Sequence, residues 1–153
     1  MNQIYLEEVH TTDIDRWIAE RHYLRSTPAG AVIRMRFFDA KGNTLGAMLW
    51  GRNPSPKQDQ NNVLCLTRMC FVDDTEHCIE SRALAMARKY IRKHYAKIIG
   101  LVAYSSTGEG HEGVVYKADG WFEVSRSKEN HRDTRIGRQN RDVSAKIKWV
   151  RSV

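Results

Sequence analysis

No stretch of this sequence approaches the roughly 18 consecutive apolar residues that a helix crossing a bilayer requires, so a membrane-spanning helix is excluded at once. Cysteine is scarce: Cys65, Cys70 and Cys78 are the three present, an odd number. In a chain whose first ten residues carry Glu7 and Glu8 and show no basic start followed by an apolar run, no secretory signal is expected. The thiols then read as free in a reducing compartment, with the cytoplasm as the expected location. Internal repeats and low-complexity tracts are lacking. The three prolines, Pro28, Pro54 and Pro56, fall in two segments, 25–30 and 52–62, which read as breaks between elements.

What is present suffices for a packed core. At 153 residues the chain suits one domain spanning 1–153, and 41% apolar residues exclude disorder. The charge is less ordinary. The formal net charge is +7, and residues 1–124 hold 16 basic and 15 acidic side chains, so they are nearly neutral. The basic C-terminal segment 125–153 carries nine basic groups against Glu129, Asp133 and Asp142. Among the nine, Arg126, Lys128, Arg132, Arg135, Arg138, Arg141, Lys146 and Lys148 are candidate contacts to nucleic-acid phosphates. A solvated basic surface is the plainer alternative.

Periodicity predicts a strand over 2–9, then a short helix capped at Thr11 or Thr12 with Ile14, Trp17 and Ile18 on one face. Strands at 31–38 and 44–51 flank Lys41-Gly42-Asn43, a hairpin signal. Another strand is expected over 63–72. The longest helix is expected from a cap at 73–75 to about Tyr95, with Arg82, Arg88, Lys89, Arg92 and Lys93 on its outer face. Strands at 98–104, 121–124 and 144–150 and a short helix at 114–118 complete a mixed α/β domain with one curved sheet.

Arg68 stands out in the strand at 63–72. Strict alternation gives it the face of Leu64, Leu66 and Cys70, where a guanidinium must meet an internal carboxylate or an anionic ligand. The segment 108–121 is the densest in candidate chemistry. Its glycines allow close approach of backbone to a ligand. His111 could serve as a base, a metal ligand or an ordinary hydrogen-bonding residue, and Tyr116 as a proton donor or a core aromatic. Zinc binding by Cys65, Cys70, His77 and Cys78 is rejected, since alternation sends Cys65 and Cys70 to opposite faces and no CxxC pair exists.

Val114 to Trp121 resembles the Tyr-x-x-x-Gly-Phe/Trp segment of the GNAT N-acetyltransferases. The chain is similar, more closely, to their Mom-like phage branch, which modifies adenine in DNA. His22-Tyr23 matches a His-Tyr pair of that branch, Arg68 an Arg on its central strand, and Ser81 a Ser opening its long helix. The run Gly110 to Trp121 matches its Gly-His-x-Gly-x-x-Tyr-x-Ala-x-Gly-Trp signature. The resemblance implies an acetyl-CoA cleft between the strands at 63–72 and 98–104, with Arg68, Ser81 and Tyr116 on the cofactor side. It places His22 and Tyr23 at the reacting centre, where an iron has been proposed for the branch, and it is compatible with a homodimer. Where the branch has an Asp, this chain has Ser106, which joins His22, Tyr23, His111 and Tyr116 as a candidate catalytic position. The implied activity adds a carbamoylmethyl or acyl-derived group to N6 of a flipped adenine, protecting phage DNA from restriction. Two other functions fit the same residues: acetyl-CoA-dependent acetylation of a small amine or protein, and a non-catalytic basic DNA-binding module.

Overall fold

A computed structural model describes residues 3–22, 27, 30–54, 57–72, 78–106, 113–127 and 145–153. Ten elements follow in chain order: β1 (Tyr5–Val9), α1 (Asp13–Arg21), β2 (Ile33–Phe38), β3 (Thr44–Gly51), β4 (Val63–Phe71), α2 (Ile79–His94), β5 (Gly100–Ser106), α3 (Val114–Ala118), β6 (Phe122–Arg126) and β7 (Lys146–Ser152). The strands form one sheet in the order β1-β2-β3-β4-β5-β7-β6. Only β4 and β5 run parallel. They are joined through α2, because parallel neighbours need a crossover that a tight turn cannot supply. The Lys41-Gly42-Asn43 signal is realised as the β2–β3 turn: Gly42 takes φ +84°, and the Asp39 carboxylate accepts from the amides of Lys41 and Asn43.

The two faces of the sheet bury different partners. On one face α2 presents Ile79, Ala83, Leu84, Ala87 and Ile91 to Met48, Trp50, Leu64, Leu66, Leu101 and Ala103. Each leucine, isoleucine or methionine side chain among them contributes about 1.5–3 kcal/mol on burial. On the other face Ile14 and Ile18 of α1 pack on Ala47 and Leu49 of β3. Arg34 ties α1 to β2 through Asp15, with Nε donating to Oδ1 at 2.9 Å.

One strand departs from simple alternation. Opposite β3, Leu49 pairs with Arg68 and Trp50 with Leu66, so Thr67 is an extra residue in β4. Its hydroxyl donates to the Leu49 carbonyl at 3.0 Å. This bulge exchanges the faces beyond it. Leu64 and Leu66 join the α2-side core, while Arg68 lies opposite Leu49 and Cys70 packs on the α1 side. Arg68 therefore shares a face with Cys70 but not with Leu64 and Leu66, contrary to the alternation argument. Cys65 and Cys70 share a face for the same reason, so parity does not argue against zinc; His77 lies outside the described residues.

Further differences from the expected elements have local causes. β5 begins at Gly100, where Val63 first pairs with it, and exposed Ile99 donates its amide to the Asn62 carbonyl before the strand starts. β6 reaches two residues later than expected because its ladder on β7 runs to Arg126–Ile147, and β7 does so because it stays paired with β5 as far as Gly100–Ser152. α2 begins at Ile79, after Cys78 in the left-handed region (φ +67°); the expected cap at 73–75 lies outside the described residues.

Arg88 is not on a solvated outer face. Its Nε and Nη2 donate to both oxygens of buried Asp119 at 2.8 and 2.7 Å. The Trp121 indole donates to the same carboxylate at 2.8 Å, and Arg151 Nε donates to the Asp119 carbonyl at 2.8 Å. One residue after α3 thus joins α2, α3 and β7. A buried charge pair broken on one side leaves the other charge unsatisfied, at a cost of about 3–5 kcal/mol. Asp119→Ala is expected to destabilise the fold by that amount in urea unfolding, with little change in m; a loss below about 1 kcal/mol would mean that Arg88 and Trp121 find other partners.

Glu8 plays a similar part at the sheet edge. Its carboxylate accepts from the hydroxyls of Tyr90 at 2.8 Å and Tyr95 at 2.6 Å. Burial, and then the bond to Glu8, push the Tyr90 hydroxyl up to about 12 and raise that of Tyr95 as well. Both pKa values are raised, so the stabilisation is complete below the ordinary tyrosine value near 10 and is lost as pH rises through about 12. Alkaline absorbance titration should find these two tyrosines ionising late in the folded protein, and Glu8→Gln should bring them earlier. Unchanged titration in Glu8→Gln would refute this coupling.

Candidate active site

The β4–β5 ladder runs only from Val63–Gly100 to Leu66–Ala103. β4 continues to Phe71 and β5 to Ser106, and β5 stays paired with β7 to its last residue. Past Leu66 the β5-facing edge of β4 has no partner strand among the described residues. Backbone N–H and C=O groups along such an edge can pair with an extended ligand that carries amides. The cleft implied by the resemblance thus coincides with a parting of the two central strands.

What holds the strands in this arrangement is aromatic packing beneath β5 and β7. Tyr116 of α3 stacks on Trp149 of β7 with centroids 6.0 Å apart and meets Trp121 edge-on at 5.3 Å. The Trp149 indole donates to Ser105 Oγ at 2.9 Å. Gly113 precedes α3 at φ +81°, and a Cβ there would collide with the Trp149 ring. Of the three glycines expected to approach a ligand, Gly113 instead makes room for tryptophan; Gly108 and Gly110 lie outside the described residues. Tyr116 is a buried member of the α2-side core.

On the opposite face, β5 and β7 direct Tyr104 and Lys148 side by side. Cys65 lies one strand over, and Arg68 follows it beyond the bulge. Lys148 Nζ donates to Gln58 Oε1 at 3.2 Å, and Arg68 Nη1 donates to the Thr67 carbonyl at 2.7 Å. Burial pushes the Cys65 thiol up to about 12, although Lys148 and Arg68 both favour its thiolate. Burial raises the Tyr104 hydroxyl too, against a hydrogen bond with the Asn53 side chain. This face thus carries two cations about a buried thiol and a phenol, beside the parting strands. Tyr104, Cys65 and the Asn53–Gln58 loop were not anticipated from sequence, although the polar ending Tyr104-Ser105-Ser106 on an otherwise apolar strand was a visible signal.

Among the described residues, two buried side-chain polar atoms lack a hydrogen-bond partner, the Trp50 indole nitrogen and Ser106 Oγ. Ser105 and Ser106 point to opposite faces, so the first is held by Trp149 and the second lies on the Tyr104 side.

The other expected positions are dispersed. His22 closes α1, its amide bonded to the Ile18 carbonyl at 2.7 Å. Ser81 sits in the first turn of α2 and donates to the Cys78 carbonyl at 3.0 Å. Arg126 pairs with Glu123 on β6. Lys146 lies opposite Ser106, and its amide and carbonyl bond to Ser127. Tyr23, His111, Lys128, Arg132, Arg135, Arg138 and Arg141 lie outside the described residues. The basic segment is nevertheless anchored: its described ends, Ser127 and Lys146, stand together at the open end of the parted strands. Among the described residues no three His, Cys, Asp or Glu side chains come together, so these residues offer no ligand set for the iron implied by the resemblance.

Thiol accessibility checks the arrangement of faces. At pH 8 the exposed Cys78 should react with a maleimide in the native protein, and Cys65 only after unfolding. Native labelling of Cys65 as fast as that of Cys78 would contradict its burial.

The model of the Mom protein family matches residues 3–152. The chain is 26% identical over 125 residues to the methylcarbamoylase Mom of Escherichia phage Mu, covering 73% of this chain and 52% of the relative. The chain therefore spans about half the length of that relative. Among solved structures, an IAA acetyltransferase from Bacillus cereus superposes with a TM-score of 0.69 at 10% identity, covering 99% of this chain and 100% of the other. An acetyltransferase of the GNAT family from Streptococcus pneumoniae gives 0.65 at 11% identity, covering 99% of both. These likenesses establish the GNAT fold.

Proposed function

Because the chain belongs to the Mom protein family, we propose that it transfers an acyl-derived group from an acetyl-CoA-type thioester to N6 of adenine in double-stranded DNA. The observation that carries this reading is the extent of the family match, 3–152, which takes in both the parted strands and the basic segment. The unpaired edge of β4 suits the amide-bearing arm of such a donor. When bound, the donor supplies an activated carbonyl carbon next to a thiolate leaving group.

The chain's own residues then have three tasks. The basic segment, entering at Ser127 and leaving at Lys146, holds phosphates beside the cleft, while the target base leaves the stack to expose its amine. Attack of N6 on the carbonyl carbon forms the C–N bond and breaks the C–S bond. The amine loses a proton, for which His22 or His111 is the acceptor, and the thiolate gains one, for which Tyr116 is the donor. This step leaves an amide at N6; a carbamoylmethyl group, whose carbonyl is not bonded to N6, needs a further nitrogen source and different bond changes.

Mass spectrometry of nucleosides from cells expressing the protein tests the reading. Adenine of raised mass is expected, and unmodified adenine throughout would overturn it. A purified protein that acetylates a polyamine and leaves DNA unmodified would favour the small-amine alternative. Replacing Arg132, Arg135, Arg138 and Arg141 by Gln should weaken DNA binding and flatten its dependence on salt, by about 0.9 in log–log slope for each phosphate that is no longer neutralised. An unchanged slope would remove the segment from the DNA interface.

A further inference from the structure

We infer that the Ser106 hydroxyl is a specificity determinant for the acylated donor, donating a hydrogen bond to the carbonyl oxygen of the group to be transferred. The inference rests on the acyl-transfer reading above and deepens it.

Ser106 is 2% exposed, and its Oγ has no partner among the described residues. A buried hydroxyl left unsatisfied is costly, so such groups are rare in folded proteins. The neighbouring residue shows the ordinary solution, since Ser105 accepts from the Trp149 indole at 2.9 Å. Ser106 ends β5 three residues past the last β4–β5 pair. Its alternation with Ser105 sends the hydroxyl to the face of Tyr104, Lys148 and Arg68. A carbonyl oxygen placed there would satisfy the hydroxyl, and the neighbouring cations would favour the negative charge that this oxygen gains as the amine attacks.

Free CoA ends in a thiol and has no such carbonyl, so the hydroxyl should discriminate between the two forms of the cofactor. Calorimetric titration of the full chain with acetyl-CoA and with CoA is the test. The native protein should bind acetyl-CoA roughly fivefold more tightly, and Ser106→Ala should reduce that ratio to about one. Without ligand, Ser106→Ala should melt roughly 2–4 °C higher, because it removes an unsatisfied group. Should the alanine chain fail to fold, Ser106→Gly removes the same hydroxyl with less bulk and repeats the binding comparison.

A preference for acetyl-CoA that survives in the variant overturns the inference and leaves the acyl-transfer reading standing. So does a variant that loses affinity for a duplex oligonucleotide while its acetyl-CoA preference persists, because the hydroxyl then serves DNA. If the native protein binds neither cofactor form, the inference and the acyl-donor reading fall together.

Discussion

The short parallel ladder between β4 and β5 is the constraint on which the rest of the structure turns. Four residue pairs hold the centre of the sheet; past them the pairing of β4 with β5 ends, while β5 remains committed to β7 along its whole length. That commitment is enforced from below by the Tyr116–Trp149 stack and the indole bond to Ser105. The Asp119 node in turn ties α3, α2 and β7 together. On β4, the bulge at Thr67 releases the strand from strict pairing and turns Arg68 toward the α1 side. The cleft is thus an opening kept by packing on both of its walls.

The same geometry assigns a place to the excess charge. Residues 1–124 are almost neutral and the last 29 carry most of the net positive charge. Not all of that charge is at liberty: Arg126 pairs with Glu123, and Arg151 bonds to Asp119. Lys148 faces the cleft-side cluster with Cys65 and Tyr104. Ser127 and Lys146 are bonded to each other, and Lys146 stands opposite Ser106.

Much of the fold was legible because it depends on local pattern. The helix at 114–118 and the strand at 44–51 occur where periodicity put them, and the Lys41-Gly42-Asn43 turn followed from residues that tolerate positive φ. The Mom-like resemblance named the right family. What failed was long-range. The bulge is a property of register against β3, so simple alternation put Arg68 and Cys70 on the wrong face. Arg88 read as a solvated helix residue because its partner, Asp119, lies 31 positions along the chain. The pairing of Glu8 with Tyr90 and Tyr95 was hidden for the same reason. Motif singled out Tyr116 and Ser81, which the fold places in the α2-side core and the first turn of α2, whereas the Tyr104 face emerged only when three strands were placed side by side.

The central claim is that the parted strands receive the acyl donor, and amide hydrogen exchange with and without acetyl-CoA tests it most directly. Ordering an amide-bearing ligand along the free edge of β4 should slow exchange at Thr67 to Phe71 and at Tyr104 to Ser106, while the edge strands β1 and β6 exchange as before. Protection confined to other elements, or none at saturating acetyl-CoA, would contradict it.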